Sequence, residues 1–188
     1  MICRDFCNIV YGAVPIFHRY IIVGQMNDGS DDDKKITWRF ARLSDADILF
    51  QWRNEPDTFL FTKKARPLEW AEHHEWIARQ IAKSRSDSVL LIFSFASDQI
   101  GMSRLDRLNG SDFEISISVG KMYQGKGYGK IILEMSIKYA LETLSAERVI
   151  ATIHCENTKS QKLFQYAGFK PIREILNRGN FRTFRIGR

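Results

Sequence analysis

Alternation and helical periodicity divide the chain from residue 35 onward into a plain succession of elements. KITWRFARL (35–43) alternates, with Ile36, Trp38 and Phe40 on one side, and predicts a strand. Ser44 reads as a helix N-cap, with Asp45 and Asp47 in the first turn of DADILFQWRN (45–54). That helix ends at Asn54-Glu55-Pro56, because a proline pushes the residue before it out of the helical region. A short irregular stretch follows, and Pro67 opens a second helix, PLEWAEHHEWIARQIAKS (67–84). Its apolar stripe reads as Trp70, His74, Ile77, Ala78 and Ile81. SVLLIFSFA (88–96), IGMSRLDRL (100–108) and FEISISVG (113–120) then form an antiparallel meander, with Asn109-Gly110 as the hairpin signal. In the last of these strands Phe113, Ile115, Ile117 and Val119 share one face, and Glu114, Ser116 and Ser118 the other. QGKGYGK (124–130) leads into a helix, IILEMSIKYALETL (131–144). RVIATIHC (148–155) is a strand, and NTKSQKLFQYAGF (157–169) is a helix stopped by Gly168. KPIREIL (170–176) and FRTFRIG (181–187) are strands around a turn at NRGN (177–180). This order predicts one α+β, or mixed α/β, domain over residues 35–188.

Residues 1–34 read as an N-terminal extension closed by a polar, acid-rich linker, QMNDGSDDDKK (25–35). FCNIVYGAVPIF (6–17) is apolar but broken by Asn8, Gly12 and Pro15, and no small-x-small cleavage site follows. A remnant of an upstream domain, or an extra strand, suits it better than a secretion signal. No run reaches the ~18 apolar residues of a membrane span, so no membrane partner is expected.

Composition adds less. The 188 residues are 44% hydrophobic and 27% charged, which suits a globular domain. A net charge of +6 favours an anionic partner, yet the basic residues are scattered, which argues against a nucleic acid. Cys3, Cys7 and Cys155 form no ligand set, which points to a reduced, cytoplasmic chain without a metal.

The chemistry sits in the glycine loop. A strand, a glycine-rich turn and a helix start present backbone N–H groups and the positive end of a helix dipole together, which suits a phosphate or pyrophosphate. The loop lacks the G-x-x-x-x-G-K-[ST] spacing of a nucleotide-triphosphate loop. Its G-x-G-x-G run and the meander before it do not suit the dinucleotide fingerprint. Gln124, Gly127 and Gly129 instead fit Q/R-x-x-G-x-G/A at every position.

That motif, after a strand and opening a helix, resembles the pyrophosphate-binding motif of the GNAT acetyltransferases. NTKSQKLFQYAGF resembles the same family's second motif, N-x-x-S-x-x-L-[YF]-x-x-x-G-F. The two occur in order, within a resemblance that spans residues 36–187. It implies a mostly antiparallel central sheet, flanked by helices and splayed between two central strands. It implies acetyl-CoA as co-substrate and direct attack by a primary amine on the thioester.

Residue by residue, the resemblance puts the pyrophosphate on Gln124, Gly125, Lys126, Gly127, Tyr128, Gly129 and Lys130. Lys126 and Lys130 add charge there or are plain surface lysines. Val119 carries the N–H that meets the developing oxyanion. Asn157 and Ser160 lie towards the cofactor, and Asn157 also reads as a helix cap. Glu114 is the candidate base, acting directly or through water; the other reading makes it an exposed hairpin residue. Glu114 and Asn157 are thus the candidate catalytic residues. Phe164 occupies the position where many members carry a tyrosine acid. Tyr166 lies two residues on, turned by about 200°. His154, Cys155 and Tyr123 are substitutes for that acid.

The acceptor side is expected in the first two helices and the final hairpin. The Q-W-R-N-E-P stretch (51–56) and the E-H-H-E-W helix (72–76) resemble the acetyltransferases of bacterial pseudaminic-type nonulosonic acid synthesis. Those enzymes acetylate the 4-amino group of a UDP-linked deoxy-amino sugar. On this resemblance Trp52, Arg53, Asn54, Trp76, Ser116 and His154 are the substrate-binding candidates. A tryptophan would stack on the base or sugar, and an arginine among Arg173, Arg178, Arg182 and Arg185 would meet the diphosphate. Both tryptophans also read as core. Ribosomal-protein N-terminal acetyltransferases share a similar first helix, and a non-catalytic CoA-binding module is the reading from another class. A monomer or homodimer is expected.

Overall fold

The computed structural model describes residues 35–172 and 180–187, and its strands form one seven-stranded sheet of order β1-β2-β3-β4-β5-β7-β6. The extension 1–34, with Cys3 and Cys7, lies outside the described residues, as do Arg173, Arg178 and most of the NRGN turn. The elements in chain order are β1 (Ile36–Phe40), α1 (Ala46–Asn54), α2 (Pro56–Phe59), α3 (Trp70–Ala82), β2 (Ser88–Phe95), β3 (Asp98–Asn109) and β4 (Asp112–Val119). They continue as α4 (Tyr128–Glu142), β5 (Arg148–His154), α5 (Thr158–Tyr166), β6 (Lys170–Pro171) and β7 (Phe181–Gly187). β1 to β4 pair antiparallel in sequence order, as the alternating segments and short turns predict.

The sheet has a core on each face. Val89, Leu91, Phe93, Leu105, Phe113 and Ile115 meet Ile132, Leu133 and Ile137 of α4. Leu90, Ile92 and Met102, pointing the other way, meet Ala46, Leu49 and Trp52 of α1 and Ile77 of α3. Period-two alternation is what lets one strand supply both layers.

Three local expectations change. The first helix starts at Ala46, after a 3-10 turn over Leu43–Asp45, and Asp45 rather than Ser44 stands at its cap. Asp45 turns inward: it takes both guanidinium nitrogens of Arg39 at 2.7 Å, the Arg42 N–H at 2.7 Å and the Gln99 amide at 3.1 Å. The stretch after Pro56 contains α2, and the next helix starts at Trp70, not Pro67. The buried stripe of α3 is His73, Ile77 and Gln80, whereas Trp70 is 43% and Ile81 40% exposed. Polar residues hold the inner face because partners wait there: Gln80 donates to Ser88 Oγ at 2.9 Å, and His73 Nε2 donates to Ala46 O at 3.1 Å.

Candidate active site

The sheet splits where the glycine loop begins. β4 runs parallel to β5 only over Asp112–Arg148, Phe113–Val149 and Glu114–Ile150. Beyond Glu114 the strands part, while β5 stays paired with β7 as far as His154–Phe181. Backbone groups of residues 115–119 that point towards β5 therefore have no strand to pair with. At the closed end Arg148 holds Asp112 through two 2.7 Å hydrogen bonds, which pin the parallel pair where it begins.

A cleft of about 1000 Å³ passes through this split. Its first half opens on the α4 and α5 side, where Val119, Gln124, Gly125, Gly129, Asn157 and Ser160 line it. Gly127 precedes α4 with φ +86°, a left-handed conformation that glycine adopts without steric cost, and no side chain caps the helix. Lys130 N–H donates to Gly127 O at 3.1 Å, while the N–H groups of Tyr128 and Gly129, the first two of α4, have no partner among the described residues and face a ligand. Gln124 turns back and donates to Val119 O at 3.0 Å, closing the loop on itself. Asn157 caps α5 by accepting the Ser160 N–H at 3.1 Å. The Lys126 ammonium lies 5.6 Å from the Tyr123 ring centroid, and Tyr128 packs on Tyr123 and Phe95. Lys130 Nζ donates to Tyr166 Oη at 2.8 Å. Phe164 lines the cleft but is 4% exposed and packs edge-on against Phe169, while Tyr166 is 67% exposed.

The second half opens towards α1 and α3. Arg53, Trp76, Arg104, Glu114, Ser116 and His154 line it. Glu114, Ser116 and Ser118 stand opposite Asp106, Arg104 and Met102 of β3, on the face that α1 and α3 cover. Trp52 is only 4% exposed and belongs to the core of this layer, so it has no open face on which a ligand could stack. Trp76 is half-buried beside Arg104, whose guanidinium lies 5.5 Å from its ring centroid. Asn54 does not reach the cleft: its amide is spent on Leu68, donating to O at 2.9 Å and accepting N–H at 2.7 Å. It therefore fastens the segment between α2 and α3, where a substrate contact was expected. His154 sits between Phe61 and Phe181, at 5.6 and 5.2 Å between ring centroids, and its Nδ1 accepts the Glu156 N–H at 3.3 Å.

Arg53 keeps one donor unspent in this half. One terminal nitrogen donates to Thr62 Oγ1 at 3.0 Å; the other, Nη1, is buried and without a partner among the described residues. Burial pulls its pKa down, and the Glu72 carboxylate acts against that from a distance. His73, 1% exposed, also lines the cleft; burial drives its pKa below the ordinary histidine range. Phe61, Lys63, Arg104 and Phe181 were not expected at the site. The first two lie in a segment without periodicity, and the others are set by strand register. Arg182, named with the arginines of the final hairpin, instead donates to Gln161 Oε1 at 3.4 Å.

Among the described residues no helix is long and apolar enough to cross a membrane. The acetyltransferase (GNAT) domain family matches residues 35–170. The chain is 29% identical over 132 residues to Acetyltransferase PseH of Campylobacter jejuni subsp. jejuni (serotype O:23/36, strain 81-176), covering 69% of this chain and 81% of that protein. It is 24% identical over 143 residues to the N-acetyltransferase p20 of Bacillus licheniformis, covering 73% and 80%. Among solved structures, a domain from Methanocaldococcus jannaschii superimposes with a TM-score of 0.71 at 25% identity, over 82% of this chain and 99% of that one. Spermidine N-acetyltransferase from Vibrio cholerae, in complex with CoA and spermine, superimposes with a TM-score of 0.68 at 19% identity, over 81% and 95%, and shares the fold. A split sheet with an uncapped glycine loop at its mouth and a family match over most of the chain lead to one conclusion: the protein belongs to the GNAT family and is an N-acetyltransferase.

Proposed function

We propose that this enzyme transfers acetyl from acetyl-CoA to the 4-amino group of a UDP-linked deoxy-amino sugar in pseudaminic-type nonulosonic acid synthesis. The observation that carries the acceptor class is Arg53, a half-buried guanidinium whose Nη1 is buried and has no partner among the described residues, in the acceptor half. A partly buried cation with an unspent donor suits an anionic, hydrogen-bonding partner, which a diphosphate supplies. Arg53, Lys63, Lys64, Arg79, Arg104 and Lys159 line the cleft against the carboxylates Asp57, Glu72, Glu114 and Glu156, and this small cationic excess favours an anionic acceptor over a polycation such as spermidine. The likeness to Acetyltransferase PseH supports the same reading.

Acetyl-CoA, when bound, supplies an acyl thioester. The N–H groups of Tyr128 and Gly129 at the start of α4 suit its pyrophosphate, and the unpaired edge of β4 at residues 115–119 suits an arm that pairs as an added strand. N–H groups near Val119 serve as donors to the acyl oxygen. Glu114 takes the proton of the acceptor ammonium, directly or through water. His154 does not compete for that role: the Glu156 N–H occupies its Nδ1, so in the neutral ring Nε2 already carries the proton. Phe164 has no proton to give, and the thiolate leaves with water as its proton source.

The test is calorimetry with CoA, followed by an acceptor screen. CoA is expected to bind, and UDP-4-amino-sugars to turn over while spermidine and N-terminal peptides do not. Turnover of peptides or spermidine in preference to the sugars overturns the acceptor. Arg53→Ala should raise KM for the sugar about tenfold to a hundredfold, the worth of a charged hydrogen bond, with KM for acetyl-CoA unchanged. Glu114→Gln should lower kcat about a hundredfold at neutral pH, with partial recovery as pH rises and free amine accumulates. An unchanged pH–rate profile would assign the proton to water alone.

A further inference from the structure

The last turn of α1 reaches across the domain to the strand end from which the glycine loop departs. Trp52 and Glu55, three residues apart, both touch the turn that follows β4. A Cβ at Gly120 would stand 2.6 Å from Trp52 Nε1, so only glycine passes the ring there. The next residue, Lys121, gives its N–H to Glu55 Oε1 at 3.0 Å, a contact between residues 66 apart in sequence. Lys121 opens the 3-10 turn Lys121–Tyr123, whose C-cap is Gln124, the first residue of the donor loop. Gly120 N–H is held by Ile100 O at 3.0 Å. The turn is thus fixed to the sheet at Gly120 and to the acceptor-side helix at Lys121. The other carboxylate oxygen of Glu55 is buried and unpartnered among the described residues.

We infer that Glu55 is a positioning residue for the donor loop, holding the turn that delivers Gln124, Gly125 and Gly127 to the cleft. The inference rests on the reading that this loop receives CoA. Oε1 acts on a backbone N–H, so the donor loop takes its place from the same helix end that carries Arg53 on the acceptor side. A glutamine retains the accepting oxygen at the same reach; an alanine leaves the Lys121 N–H to solvent and frees the turn.

Calorimetry with CoA, initial rates and exchange of the Lys121 amide together test this. Glu55→Ala is expected to weaken CoA binding about tenfold and to raise KM for acetyl-CoA in parallel, with KM for the acceptor within about twofold. Glu55→Gln should restore most of the CoA affinity. The Lys121 amide should exchange faster in Glu55→Ala than in the parent or in Glu55→Gln. If Glu55→Ala binds CoA as the parent does, the inference is wrong; so it is if Glu55→Gln is as damaged as Glu55→Ala. Should Glu55→Ala fail to fold, Glu55→Asp, one methylene too short, is expected to show the same loss of CoA affinity and the same faster exchange, and parent-like values in it would overturn the inference. Failure of the parent protein to bind CoA would instead count against the function proposed above.

Discussion

Gly129→Val is expected to weaken CoA binding at least a hundredfold, about 2.7 kcal/mol, while leaving the melting temperature nearly unchanged. Gly129 is the second residue of α4 and lines the donor half of the cleft. A Cβ there would lie 3.4 Å from Leu163 and 3.6 Å from Val119, ordinary contact that the fold tolerates. Valine adds two methyl carbons beyond that Cβ at a residue that lines the cleft, and they are expected to take space next to the N–H groups that a pyrophosphate needs. Alanine at the same site should therefore be mild, and the contrast between the two substitutions measures how closely the ligand approaches. Equal CoA affinity in Gly129→Val and the parent would remove the loop from the cofactor site.

Asp45→Ala should be strongly destabilising, by roughly 3 kcal/mol, since it leaves the partly exposed Arg39 guanidinium, the Arg42 N–H and the Gln99 amide without their shared acceptor. In a chain of this size that corresponds to a melting temperature lower by about 10 °C. Asp45 is 3% exposed and joins β1, the start of α1 and the β2–β3 hairpin through Arg39, Arg42 and Gln99. Burial opposes its charge, but the Arg39 pair, the Arg42 N–H, the Arg39 charge and the Gln99 amide together outweigh burial and hold the carboxyl below the usual carboxylate range. A lowered pKa gives stability that is fully present above the unfolded value of about 3.9 and is lost as pH falls through the folded one. The gap between the parent and Asp45→Ala should accordingly be widest near neutral pH and shrink in acid. Thermal melts at pH 7 and pH 3 read this directly, and a gap independent of pH would mean that packing, not charge, makes Asp45 matter.

Asp45 also illustrates what the linear pattern missed. An acid at a helix start reads as a favourable dipole contact, and Ser44 as the cap. Only the approach of β1 and the β2–β3 hairpin turns Asp45 into a buried hub. The same holds for α3, whose buried face carries His73 and Gln80. Periodicity assigns faces by hydrophobicity, whereas a polar residue is buried when a distant group satisfies it, and Ser88, Asp106 and Ala46 are 8 to 27 residues away. Asn54 fails in the opposite direction. It lies in a stretch that resembles acceptor-binding sequences, yet the backbone of Leu68 claims both ends of its amide.

The meander, the glycine loop between strand and helix, and the second motif are legible along the linear chain, and with them the family. Each of these rests on local physics: period two, a hairpin turn, a residue that must take positive φ, and an asparagine that caps its own helix. The tertiary structure decided where β4 and β5 part, that Trp52 is core while Trp76 remains at the cleft, and that Arg53 keeps a donor unspent. It also set Glu55 against the Lys121 amide. These depend on which surfaces meet after the chain folds back, and residues 66 positions apart leave no periodicity in the sequence that records their contact.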